Sequence, residues 1–217
     1  HYHANPPGLR HLLNDSVDYD TSANTYTENF NGQHSPILGW VSDGYPVYGP
    51  YGYSDPLNSL SVVRLMVSGF IKRDGTSGST NLNTDGRTSL PAWAVDVQGI
   101  GPALSSGEFG PGVSVANPIG HYIEDYAYLG DLGFTQGTDF DLDVHNGRFC
   151  VTPEFPQGTY AYFVSIETDG TPKFPYNIGR TYYGIPSGGA VNQIPETSTV
   201  YFEGGPEAPL IANDLEV

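Results

Sequence analysis

The sequence predicts a mostly β fold: an antiparallel, sandwich-like single domain with long Gly/Pro-rich loops and little helix. Three observations carry this. The 217 residues include 28 glycines and 18 prolines, which interrupt regular elements throughout. Aromatics make up 13% of the chain, in short runs bounded by turn residues. The third is the stretch 34–53, H-S-P-I-L-G-W-V-S-D-G-Y-P-V-Y-G-P-Y-G-Y, in which Asp43-Gly44 joins an apolar arm to an aromatic one. An Asp-Gly pair so placed is a strong short-range hairpin signal. A chain of this length buries roughly 70% of its unfolded surface, so one domain is the default; past Gly184 the composition turns Pro/Gly-rich, so the domain is expected over 1–184, with 185–217 as an extension.

In chain order, 1–13 reads as an extended segment, a Pro6-Pro7 turn and a helical turn. A polar surface loop follows over 14–33. In the hairpin, Pro46 lacks a ladder donor, which predicts an edge strand or an extended loop for the second arm. Tyr45, Tyr48, Tyr51 and Tyr53 either pack as a core corner or line a pocket rimmed by His34 and Asp43. The β-branched residues and Gly69 of 57–71 predict a strand, 72–89 a polar loop, and A-W-A-V-D-V within 90–97 a short strand. Residues 99–119 read as irregular and 121–129 as an aromatic segment. Over 139–145 the pattern alternates: Asp139, Asp141, Asp143 and His145 on one face, Phe140, Leu142 and Val144 on the other. Strands are expected at 149–151 and 159–167, a turn at 168–171 and a short return at 174–178. In the extension, 199–203 is strand-like. A lone strand cannot offset its ordering entropy, so it is expected to dock on the domain or on a neighbouring copy, the latter giving a homo-oligomer or a filament.

The formal net charge is -16, with only two lysines, Lys72 and Lys173. That lacks the basic footprint of a nucleic-acid or anionic-membrane binder, and no apolar run is long enough to span a bilayer. The acidic surface favours cations as partners. The single cysteine, Cys150, rules out an internal disulfide and sits in an apolar run, which predicts a buried, inert thiol. Motifs for a serine or cysteine nucleophile, a zinc protease or a phosphate loop are missing.

The stretch 34–53 resembles the YHYH-domain family, which carries a similar H-S-P, D-G-[YF]-P and Y-G-P-Y-G-Y. His1-Tyr2-His3 resembles the end of the motif that names the family. D-Y-A-Y-L-G-D-L-G (125–133), N-G-R-F-C-V-T-P-E-F-P-Q-G-T-Y-A-Y-F-V (146–164) and F-P-Y-N-I-G (174–179) are similar to its middle and end. The resemblance spans roughly 1–183. It implies an extracellular or periplasmic setting, and so a mature or truncated chain here, but no defined activity.

The residues themselves supply the chemistry. His1 and His3 share a face of an extended strand and can converge on one ion. His34, at the head of the hairpin stretch, is the next ligand, with Asp43 beside it. His121 and Asp125 are outer groups that would orient a ligating imidazole. Copper or zinc suits such a set. Asp139, Asp141, Asp143 and His145 form a second candidate cation site. Three carboxylates on one strand face repel unless neutralised, by calcium or by Arg148 pairing with one of them. The expectation is therefore a metal-binding protein. The alternatives are a structural, self-assembling extracellular protein or, third, a metal-dependent oxidase or hydrolase.

Overall fold

Asp43-Gly44 turns the chain between β3 (Ile37–Trp40) and β4 (Pro46–Tyr48), with the Gly44 N–H bonded to the Val41 carbonyl at 2.9 Å and Gly44 at φ 88°. The structure is a computed structural model and describes residues 4–186. It is mostly β, with little helix, and its strands form several small sheets. The largest has the order β3-β4-β10-β9, where β9 is Gly147–Cys150 and β10 is Thr159–Phe163. Its β4–β10 pair is parallel and the other two pairs are antiparallel. Contrary to the expectation of an edge strand or loop, β4 is an interior strand. Proline is tolerated there because it is the first residue of the strand and β10 pairs only from Val47 onward.

Three two-stranded sheets complete the β structure of the described residues: β1 (Val17–Asp20) with β2 (Thr25–Glu28), β5 (Tyr51–Tyr53) with β6 (Val63–Leu65), and β7 (Phe70–Lys72) with β8 (Tyr126–Tyr128). The strand expected over 57–71 is therefore two short strands after a turn. The Asp55 and Asn58 side chains accept the Leu57 and Leu60 N–H groups and fold 55–61 into that turn. At Gly69 a Cβ would lie 2.6 Å from the Leu142 carbonyl and from the Tyr128 ring, so only glycine fits the bend.

Two further expectations are corrected. Residues 90–97 hold not a strand but a helix, α3 (Ala92–Gln98), the third after α1 (Pro7–Leu12) and α2 (Leu82–Asp85). Pro91 sits at its N-cap, Asp131 accepts the Trp93 N–H, and Gly99 closes it in the left-handed conformation. Nor is 139–145 a strand. Its aspartates bend the chain instead: Asp139 accepts the Thr135 N–H at 2.8 Å and Asp143 the His145 N–H at 2.9 Å.

The core has two parts. One is Tyr48, Met66, Leu142, Cys150, Ala161 and Phe163, with Cys150 fully buried. The other packs Trp93 and Ala94 of α3 against Phe70 and Phe174, under the β7–β8 sheet. Of the four hairpin tyrosines, Tyr48 and Tyr51 are buried, and Tyr45 and Tyr53 half-buried. His1, His3 and the strand expected at 199–203 lie outside the described residues.

A buried ion cluster ties the N-terminal segment to the hairpin stretch. Arg10 of α1 is fully buried; its Nε donates to Asp15 at 2.6 Å and its two Nη groups to Glu28 of β2. The other Asp15 oxygen accepts the Ser35 hydroxyl at 2.8 Å, and Ser35 Oγ accepts the Tyr51 N–H at 3.1 Å. Gly49 has no room for a Cβ because Asp15 Oδ2 and Ser35 occupy that space. Removing the cation strands two buried carboxylates. Arg10→Leu is expected to destabilise the fold by about 3–5 kcal/mol in urea unfolding; a loss under about 1 kcal/mol, the worth of an exposed pair, would show that the cluster is not a stabilising unit.

Candidate functional site

His34 stands at the end of the Arg10 network, where Ser35 fixes the backbone. Its Nδ1 lies 2.8 Å from the Ser35 carbonyl and must carry the proton to bond it, so the lone pair of the neutral ring is on Nε2. Nε2 is buried without a hydrogen-bond partner. The ring is clamped by Tyr48, Tyr53 and Phe163, with centroids 5.1, 4.9 and 5.9 Å away. Burial pushes the imidazole pKa below its ordinary value, only partly opposed by the Ser35 bond and by Glu154. Asp43 does not orient this ring: its Oδ2 accepts the Tyr162 hydroxyl at 2.6 Å and the Gly184 N–H at 3.0 Å.

The aspartates of 139–145 diverge. Asp141 is buried and takes a bidentate pair from Arg64 at 2.6 and 2.8 Å, plus the Val67 N–H; Arg148 Nη1 stands 3.6 Å away. Arg148 donates from Nη2 to the Tyr53 carbonyl and leaves Nε unpartnered. Asp143 accepts the Tyr160 hydroxyl at 2.8 Å, and burial holds its carboxyl above the usual range. His145 Nδ1 meets the carbonyl and hydroxyl of Thr181, both at 3.0 Å. Each of these carboxylates thus has its own donors within the fold. Among the described residues no three His, Cys, Asp or Glu side chains gather in a metal-binding group.

Asp125 is likewise committed away from any imidazole. It takes Arg87 Nε and Nη2 at 2.6 and 2.8 Å and the N–H groups of Gly120 and Tyr122 at 2.9 and 3.1 Å, which hold its carboxyl below the usual range against the opposing effect of burial. His121 is exposed, its ring centroid 4.8 Å from that of Tyr122. Arg87 spends its remaining donors on the carbonyls of Pro111, Asn117 and Pro118. It thereby fixes the irregular loop that follows α3.

Behind that loop is a cavity of about 210 Å³ with Arg73 in its wall, beside Leu90, Ile100, Leu104 and Tyr122. Arg73 is 2% exposed. Its Nη1 donates to the carbonyls of Ser89 and Glu124 at 2.9 and 3.0 Å, and its Nη2 to the Ser89 hydroxyl at 2.7 Å. Among the described residues these bonds use three of its five N–H donors, and no carboxylate stands within ion-pair distance. Desolvation accordingly lowers its pKa, with Asp125 opposing at longer range. The two rim glutamates point at other partners: Glu124 at the Gln98 amide, Glu108 at the Ser105 hydroxyl and N–H. Sequence reasoning missed Arg73 and Arg87. Both lie in polar loops without periodicity, and only the folded chain brings 73, 89 and 124 together.

A family model described as YHYH protein matches residues 1–176. No curated protein and no solved structure matches the chain.

The state of His34 has a measurable consequence. Because its folded pKa is depressed, the unfolded chain takes up a proton first as pH falls below about 6.5, and stability present above that pH is lost on acidification. The fall in melting temperature from neutral pH to about pH 5.5 should therefore be steeper in wild type than in His34→Gln, which has no titrating ring. Parallel profiles would show that the ring titrates alike in both states.

Proposed function

We propose that this chain, which belongs to the YHYH protein family, is a binding protein whose ligand is a small organic carboxylate held in the Arg73 cleft. One observation carries the reading: a guanidinium almost wholly withdrawn from water, in the wall of a cavity, with no carboxylate paired to it. A buried cation is costly unless an anion compensates it. Arg87, of similar burial, has Asp125 for this purpose; Arg73 has two carbonyls and a hydroxyl. A planar carboxylate suits the open part of the guanidinium fork. Leu90, Ile100, Leu104 and Tyr122 offer an apolar wall to the rest of the molecule. The small cavity favours a compact ligand such as an aromatic or short aliphatic acid.

The test compares acids with uncharged isosteres: benzoate with benzamide, butyrate with butyramide. Acids should raise the melting temperature and the amides should not. Arg73→Gln should weaken acid binding by about ten- to a hundredfold, as expected for a charge-assisted hydrogen bond. Leu104→Trp, which fills the cavity and leaves Arg73 in place, should do the same. Equal response to acids and amides, or unaltered binding by both variants, would reject the reading.

A second reading keeps His34 as a ligand for copper or zinc, together with His1 and His3. It is favoured by the Nδ1–H bond to Ser35, because ligating histidines commonly donate their other ring nitrogen to a carbonyl. Titration of the full chain with Zn²⁺ or Cu²⁺ should then give one site that is lost in His34→Ala; equal binding by that variant removes His34 from the set.

A further inference from the structure

A groove of about 570 Å³ runs beside His34, between the 30–34 loop and the 59–63 turn. We infer that it is a binding site for a neutral oligosaccharide, separate from the Arg73 cleft. The first ground is charge. The chain carries 24 acidic and 8 basic side chains, yet this lining holds none of them. It consists of Phe30, Gln33, His34, Tyr53, Ser59 and Ser61, the rest being valine, proline and glycine. An anionic or cationic ligand would lose hydration here and find no counter-charge.

The second ground is the pair of rings in the wall. Phe30 is 47% exposed, yet its ring is stacked on Tyr51 with centroids 4.7 Å apart and planes at 27°. Tyr53 is half-buried, its ring centroid 4.9 Å from that of His34. Two supported aromatic faces turned partly to water are an apolar surface lacking a partner, with little side-chain entropy left to lose on binding. The apolar C–H face of a pyranose is flat and of matching size.

The third ground is the hydrogen-bonding groups. Among the described residues, the Gln33 side-chain amide and the Ser59 hydroxyl have no protein partner, so they are free to exchange water for sugar hydroxyls. Ser61 is committed, its oxygen accepting the Asp55 N–H at 3.1 Å. Aromatic faces with uncharged amide and hydroxyl groups between them match a chain of alternating C–H faces and hydroxyls. The open form of the groove admits more than one sugar unit.

The probes are three neutral hexasaccharides (cellohexaose, maltohexaose and N-acetylchitohexaose) and two anionic controls, an oligogalacturonate and a heparin hexasaccharide. Calorimetric titration of the full chain should show saturable binding of at least one neutral hexasaccharide and weaker or no binding of the anionic ones. Gln33→Ala, an exposed position that leaves the fold intact, and Phe30→Ala should each weaken that binding by about tenfold. Arg73→Gln should leave it unchanged, which separates this site from the carboxylate cleft. No binding of any neutral hexasaccharide at millimolar concentration, a preference for the anionic probes, or equal binding by Gln33→Ala would each overturn the inference.

Discussion

Buried guanidinium groups bear the main structural burden in this fold. Much of the chain is loop, and loop carbonyls turned inward need donors that neighbouring strands do not supply. A guanidinium offers five N–H groups in one plane, more than any other side chain. Arg87 alone gathers three carbonyls and both oxygens of Asp125. Arg10 joins α1, β2 and the 34–53 stretch through Asp15 and Glu28. Arg64 and Arg148 converge on Asp141. With no internal disulfide possible and short strands throughout, these ion clusters cross-link segments that the two modest cores cannot reach.

The same scheme makes Arg73 stand out. Elsewhere the buried cation has its carboxylate at hand. At Arg73 the protein supplies neutral acceptors and a cavity, so the electrostatic balance is left to whatever occupies the cavity. His34 is the complementary case. There burial within an aromatic clamp disfavours the charged form of an ionisable ring, against the opposing effect of the Ser35 bond, and the groove beside it lacks acidic and basic side chains. The two places differ in the class of molecule they can accept for that reason.

Local signals in the sequence were legible; long-range ones were not. Asp43-Gly44 marked the hairpin because the turn is decided by two residues. The burial of Cys150 followed from its apolar neighbours. A-W-A-V-D-V was misread as a strand although Pro91 and Gly99 bracket it, and the adjacent burial of Trp93 and Ala94 is a helical rather than an alternating pattern. The alternation of 139–145 misled for a different reason: an aspartate can serve a turn as readily as a sheet face, and spacing does not distinguish the two. His34 was visible because its stretch is distinctive. Arg73 was not, since its environment is assembled from Ser89 and Glu124, far along the chain.

The withdrawal of arginine from the surface also bears on durability. Proteases that cleave after basic residues find Arg10, Arg73, Arg87 and Arg148 inside the folded protein. Arg64, Lys72, Lys173 and Arg180 are the remaining basic positions of the chain. Half of the cleavage points for a trypsin-like enzyme are therefore held inside the fold, Arg10, Arg87 and Arg148 by ion clusters and Arg73 by its bonds to Ser89 and the Glu124 carbonyl. They become accessible only when those contacts open, so cutting at the four buried positions marks the cooperative loss of the fold rather than surface trimming.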